Sequence, residues 1–410
     1  PISGFILDGD TLGTALYLMG SSIPASQTLN VFNWNMRWFG NASSCVCDTA
    51  LALTQAITMM KGIAADLYCV EEIVDVNKVE SIRAALGSSY QAVVSPFCSL
   101  AVNPSSGNYA SGQKLAFLYN TDKIQSLGTF GLLASTYPAD TSSNSAYYCF
   151  SSGRFPFVLK AKVNLPGGLS DTLIVVNLHA KALSDMTSYN RRVCEAEKMT
   201  DSLLALFPGK KILIAGDYND FLEGTDVSGL SLSPYSYLLN HGFEGITLPS
   251  HYAGQSTYVP YANSIIDNIV VSPLMMSRYI DSSCFIWTEP DAFIPNYVST
   301  TSDHYPVVSY YRFDAPEQLT SLTTKKGDNI FAFNNPSSNV LTLHLLDEDT
   351  ELLDLVIRNM FGQVLYHLHA PCSSATPLSI QLPDMVPGLY WLDARQGDKR
   401  QIAEWIVTNE

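Results

Sequence analysis

At 410 residues, 47% hydrophobic and 15% charged, the chain can bury a large core, and its length favours two domains over one. No apolar run approaches the roughly 20 residues of a membrane-spanning helix, and the opening PISGFILDGD, with two acids and no basic stretch, does not read as a signal peptide. The net charge of −15 argues against a high-affinity nucleic-acid binder.

That charge is unevenly spread. Residues 29–313 hold 17 basic against 23 acidic side chains, a net of −6, while residues 1–28 contribute −2 and residues 314–410 contribute −7. Over half of the excess therefore lies outside the longest ordered region, and charge beyond a Debye length of roughly 8 Å is largely screened. An enzyme in transient contact with a phosphate polymer remains compatible with it. Eight cysteines, Cys45 and Cys47 two apart and none in a CxxC, do not make a structural zinc site. Cys69, inside an apolar run, reads as a small core residue, and the rest permit disulfides.

Residues 1–28 hold short apolar pieces and take no assignment. From Leu29 the pattern is orderly. Strands are expected at 29–36, 66–72, 90–94, 114–119, 155–163, 173–179, 211–216, 265–271 and 306–313. Helices are expected from an Asp48 cap to about 63, with Leu53, Ile57 and Met60 on one face, and at 76–86 and 189–207. Strands mixed with helices on this scale indicate a layered α+β sandwich. Residues 314–327 are polar and read as a linker. Residues 328–410 then alternate apolar and polar residues between Gly-marked turns, as in a small all-β sandwich.

The strand ends carry the chemistry. The apolar run in KILIAGDYND breaks at Gly216, and Asp217 and Asn219, two apart, project into one space. Asn35 follows an apolar strand in NWNMRWFG. Glu72 closes DLYCVEE, Arg154 opens GRFPFV and His179 closes LIVVNLHAK. Asp267 sits in SIIDNIVV and Asp303-His304 in TTSDHYPVV. Each alone has an ordinary explanation as a turn former, a solvated strand end or a satisfied core histidine. Seven at strand ends do not.

This ordered series of N, E, R-x-P, N-x-H, G-D-x-N, D-N-I and S-D-H resembles the DNase I-like endonuclease/exonuclease/phosphatase superfamily over about residues 29–313. The resemblance implies a four-layer α/β/β/α sandwich and Mg²⁺- or Mn²⁺-dependent cleavage of phosphoesters, with Ca²⁺ as a possible structural ion. Asn35, Glu72 and Asp303 supply the hard oxygens such a metal takes. His304, oriented by Asp267, is the expected general base, and His179 the expected acid or phosphate-polarising donor. Arg154 is expected to fork onto a phosphate oxygen, with Asp217 and Asn219 positioning phosphate and nucleophile.

The chain departs from the family pattern twice. Gln113 stands where a glutamate supports the first histidine, and Val74 where some members place a minor-groove arginine. Arg37 and Lys181 are expected on the substrate backbone. Arg191 and Arg192 read either as a basic rim or as a solvated helix face, and Trp34, Trp38 and Phe39 as base-stacking or core residues. An extracellular endonuclease acting on DNA or RNA is the leading expectation. A sphingomyelinase-like or small-phosphoester hydrolase is the alternative, and a non-catalytic surface binding protein the second.

Residues 328–410 resemble the C-terminal sorting domain of type IX secretion, through FAFNNPSSNVLTLHL, LVIRNMFGQVLYHL, IQLPDMVPGLYWLDA and IAEWIVTNE. That implies engagement of the type IX machinery and export across an outer membrane, with release or anchoring at the cell surface. A plain β accessory domain is the other reading. A monomer without stable membrane insertion is expected.

Overall fold

A computed structural model describes residues 27–43, 48–164 and 170–313, and seven strands between 331 and 407. The opening segment up to 26, the linker, Cys45, Cys47 and Cys372 lie outside the described residues. The chain divides into two compact units, with the main break after Ala315.

In the first unit β1 (Thr28–Phe39), α1 (Thr49–Ile63), β2 (Leu67–Ile73), α2 (Val76–Leu86), β3 (Tyr90–Cys98) and β4 (Lys114–Asn120) come first. They are followed by β5 (Ile124–Gly131), α3 (Ala146–Cys149), β6 (Phe157–Asn164), β7 (Ser170–His179), α4 (Met186–Leu206) and β8 (Lys211–Asp217). The pair-length β9 (Glu244–Gly245), then β10 (Asp267–Val271), β11 (Phe285–Ile286) and β12 (Val307–Arg312) complete it, with short helical turns between. Two six-stranded sheets result, in the orders β11-β12-β1-β2-β4-β3 and β5-β6-β7-β8-β10-β9.

Side-chain alternation builds the layers. Along β1, Val31 faces the second sheet while Phe32 and Trp34 face the helices; Leu67 and Cys69 of β2 take the first side, Tyr68 and Val70 the second. The inter-sheet core joins these to Leu173, Val175, Leu213, Ala215 and Ile269 of the opposite sheet. α1 starts as expected, the Asp48 carboxylate accepting from the N–H groups of Ala50 and Leu51. Its buried stripe is Ala52, Ala56, Met59, Met60 and Ile63, with Leu53 and Ile57 only half buried. Met60 of the expected face is in that stripe, while Leu53 and Ile57 lie at its margin. β7 and β8 are parallel and need a crossover, which α4 supplies. Cys149 of α3 and Cys194 of α4 form a disulfide.

The edge strand β5 was not expected. Its interior is largely exposed and broken by Gly128 at φ +135°, so it lacks the apolar alternation that marks a strand.

The second unit is all β. β13 (Phe331–Phe333), β14 (Val340–Leu345) and β17 (Leu378–Gln381) form one sheet. β15 (Leu352–Asn359), β16 (Val364–Pro371), β18 (Gly388–Gln396) and β19 (Lys399–Val407) form the other. Among its described residues Leu353, Leu355, Ile357, Tyr390, Leu392, Ala394 and Gln396 are buried, at the period-2 spacing of a one-faced sheet.

Candidate active site

Strand ends from both sheets meet at one edge of the sandwich, and β1 and β2 break their own regularity there to aim side chains. β1 shifts register after Asn35, and Arg37 and Trp38 both turn left-handed, at φ +48° and +47°. That turn carries the Trp38 N–H to Glu72 Oε2 at 2.7 Å and the Arg37 N–H to Asn35 Oδ1 at 2.9 Å. Glu72 is itself left-handed at φ +60°, so Glu71 stays between the sheets while Glu72 turns into the cleft.

On the other sheet, β7 and β8 run in parallel register to their ends, where His179 lies beside Asp217. Gly216, at φ +154°, permits this: a Cβ there would sit 1.9 Å from the Leu178 carbonyl oxygen. Asn219, left-handed at φ +52°, donates its backbone N–H to Asp217 Oδ1 at 2.8 Å and its side-chain amide to the Ala180 carbonyl at 3.2 Å.

Asp267 pairs across from Asp217 on β10. Its Oδ2 holds His304 Nδ1 at 2.7 Å, which leaves Nε2 on the cleft side. The Thr257 hydroxyl takes the N–H groups of Ile266 and Asp267. The Ser302 hydroxyl donates to the Asn35 carbonyl at 2.6 Å and receives the His304 N–H, tying the two sides together. Trp34 Nε1 and the Tyr297 hydroxyl both donate to the His304 carbonyl. Trp34 and Phe39 are thus core residues, and only Trp38 of the three aromatic candidates reaches the cleft.

The cleft, about 960 Å³, is lined by Arg37, Glu72, Arg154, His179, Asp217, Asn219, Asp303 and His304 among others. The structure therefore gathers these expected residues, with Asp267 and Asn35 immediately behind. Asn35 presents its amide nitrogen to Asp217 Oδ2 at 2.8 Å and Glu72 Oε1 at 3.3 Å, an orientation fixed by the Arg37 N–H on its oxygen. It sits as a donor between two carboxylates rather than as an oxygen ligand.

Other expectations need correction. Arg154 donates Nε to the His179 carbonyl, Nη2 to the Ala180 carbonyl and Nη1 to Gln113, so it braces the His179 strand end. Gln113 consequently does not support His179, whose Nδ1 is buried with no partner among the described residues. Lys181 does not line the cleft, and its ammonium donates to the Ala182 carbonyl. Arg192 is fully buried on Asp220 at 2.7 Å, and Arg191 lies over the Tyr148 ring and donates to the Tyr148 carbonyl and Ser152. Neither arginine is a rim or a solvated face. An Arg-Arg pair on a helix reads as polar surface, and nothing local announces the acid 28 residues on.

Charge in the site is unbalanced. Burial, followed by the Asp267 charge, pushes Asp217 up to about 7, and burial raises Glu72. Burial alone would lower His304, but Asp267, Asp217 and Asp303 outweigh it and raise it to about 10. Burial, then Arg154 and His304, hold His179 well below the ordinary imidazole value. Its Nε2 lies 3.7 Å from Glu72 Oε1 and 3.6 Å from Asp217 Oδ2. Those distances make ion pairs only for an imidazolium, and we read His179 as neutral. Buried acids raised together, with few compensating donors, are the environment a hard cation would neutralise. Asp217, Asp267 and His304 bring one ligand atom each within 4.8 Å of one another. His304 Nδ1 is already committed to Asp267, however, so that trio is better suited to moving a proton than to holding an ion. Glu72 and Asp303, facing the same cleft, fit the cation.

Sequence reasoning missed three contributors. Asn33, Glu71 and Asn177 face the inter-sheet space just beneath the site; Asn177 bridges the sheets by donating to the Val70 and Ala116 carbonyls, each at 3.1 Å. Glu71 is fully buried, and burial first, then Asp267 and Asp217, raises it far above its ordinary value. The i, i+2 spacing of Asn33 to Asn35 and of Asn177 to His179 was the available signal.

No family model matches the chain, and no curated protein matches it. Among solved structures it is similar to an endonuclease/exonuclease/phosphatase from Beutenbergia cavernae, with 13% identity and TM-score 0.48 over 93% of this chain and 100% of that one. It is also similar to an endonuclease/exonuclease/phosphatase from Bacteroides vulgatus, at 15% and 0.48 over 70% and 99%. The human Nocturnin catalytic domain gives 13% and 0.46 over 70% and 94%.

Proposed function

We propose that the first unit is a divalent-cation-dependent phosphodiester hydrolase, an endonuclease on DNA or RNA. One observation carries the reading: the His304–Asp267 pair, bonded at 2.7 Å, leaves Nε2 open to a cleft shared with Glu72, Asp217, Asp303 and His179. In this reading a cation on Glu72 and Asp303 would offset the acids that hold His304 protonated, and Nε2 of the neutral imidazole then takes the proton of the attacking water while Asp267 stabilises the imidazolium through Nδ1. Asp217, held by Asn35 and the Asn219 N–H, orients that water. Neutral His179, positioned by Arg154, polarises the phosphate or serves the leaving oxygen. Glu72 and Asp303 would hold Mg²⁺ or Mn²⁺, which when bound offsets the charge building on the phosphate.

The test is a gel assay of plasmid and RNA with each metal and with chelator, alongside release of phosphocholine and inorganic phosphate. Metal-dependent strand cleavage supports the reading. Release of phosphocholine in its place supports the sphingomyelinase-like alternative, and inertness on every substrate the non-catalytic one. We further propose that residues 328–410 direct export through the type IX machinery to the cell surface, supported by the sequence resemblance. A reporter fused to residues 320–410 that stays in the periplasm counts against it.

A further inference from the structure

Duplex nucleic acid is gripped through many phosphates, each met by a free lysine or arginine. The basic groups around this cleft are committed elsewhere. Arg37 is held by the Val298 carbonyl at 2.6 Å and by Asp303 at 3.5 Å. Arg154, Arg192 and Lys181 are bound to carbonyls and to Asp220, as described above. Asp226 and Asp303 add negative charge to the wall.

Aromatic rings stand there instead. The Tyr258 ring lies 4.9 Å from that of His304, and Tyr261 lies 5.5 Å from Tyr258 with 38° between their planes. Tyr261 is 67% exposed and lines the cleft. The two rings make a short tilted stack that starts on the general base and ends in solvent. Resting on the hydrolase reading, we propose that this stack is a base-binding subsite and that the substrate is single-stranded nucleic acid. An unpaired base next to the scissile phosphate lies on Tyr261 and Tyr258. Stacking is sequence-tolerant and needs no phosphate contacts. A paired base has its faces covered and cannot use it. The rings also pack on each other rather than spreading around a cavity, which is not the cage a quaternary ammonium takes.

The experiment compares kcat/KM on a single-stranded oligonucleotide and its duplex across a salt series, for wild type, Tyr261→Ala and Tyr261→Phe. Bis(4-nitrophenyl) phosphate hydrolysis by the wild type, with and without chelator, reports the hydrolase reading by itself. Expected are a preference of about tenfold or more for the single strand and a salt exponent of about 1–2. Tyr261→Ala should lose about tenfold, mainly in KM, and Tyr261→Phe should recover it. Chelator-sensitive activity together with equal or faster duplex cleavage or an unaffected Tyr261→Ala overturns the subsite alone. No chelator-sensitive activity on any substrate overturns the hydrolase reading and the subsite with it.

Discussion

The space between the two sheets has an apolar end and a polar end, built on the same faces of the same strands. Leu29 and Val31 precede Asn33 and Asn35; Leu173 and Val175 precede Asn177 and His179; Leu213 and Ala215 precede Asp217. One end holds the sheets together by excluding water. The other places acids, amides and a neutral imidazole where desolvation shifts their protonation. The difference teaches that Asn35, His179, Asp217 and Asp267 extend the core and are held by the strands themselves. Stability and chemistry should therefore separate by position along a strand.

His304→Ala, at the polar end, is the strongest test of that separation. It should cost about 10³-fold in kcat/KM by initial rates on folded protein, a loss far beyond what the accompanying drop in melting temperature from the stranded, buried Asp267 carboxylate explains, as thermal melts check. Leu213→Ala, at the apolar end, should do the reverse: a loss of about 3 kcal/mol in denaturant unfolding, with kcat retained below the transition.

Glu195 sharpens the comparison from outside the sandwich. It is buried on α4 and is pushed up to about 8 by burial, against Arg154, Arg191 and Arg192. A carboxyl with a folded value above its ordinary 4.5 gives its full stabilisation below 4.5 and loses it as pH rises toward about 8. Glu195→Gln should thus raise the melting temperature by several degrees at pH 8.5 and change it little at pH 4.5. Thermal melts at both pH values check this. The smallest effect is expected of Lys181→Ala: less than twofold in kcat/KM, since its ammonium is turned to the Ala182 carbonyl.

Much of this was legible before any coordinates. The Asp48 cap, the helix at Val76–Leu86 and the strand closing on Asp217 all follow from local pattern, because capping and strand termination are local chemistry. The gathering of Glu72, His179, Asp217 and His304 was readable from their recurrence at strand ends. The partners of each group were not. That Arg154 braces two carbonyls, that Arg192 is buried on Asp220 and that Ser302 ties Asn35 to His304 are consequences of pairings across tens to hundreds of residues. The α1 face was read one position off: Met60 is buried as expected, but Leu53 and Ile57 are only half buried beside Ala52 and Ala56. Glu71 is hidden by its neighbour: two adjacent glutamates look alike until a left-handed residue sends them to different places.

The Cys149–Cys194 link has a practical side. It clasps α3 to α4 five residues before Arg154, the side chain that holds the His179 strand end. Thiols stay reduced in most cytosols and pair in secretory or periplasmic spaces. Protein made in an ordinary bacterial cytoplasm should therefore arrive unclasped. Its specific activity should climb after mild oxidation, and the choice of expression host becomes part of every assay above.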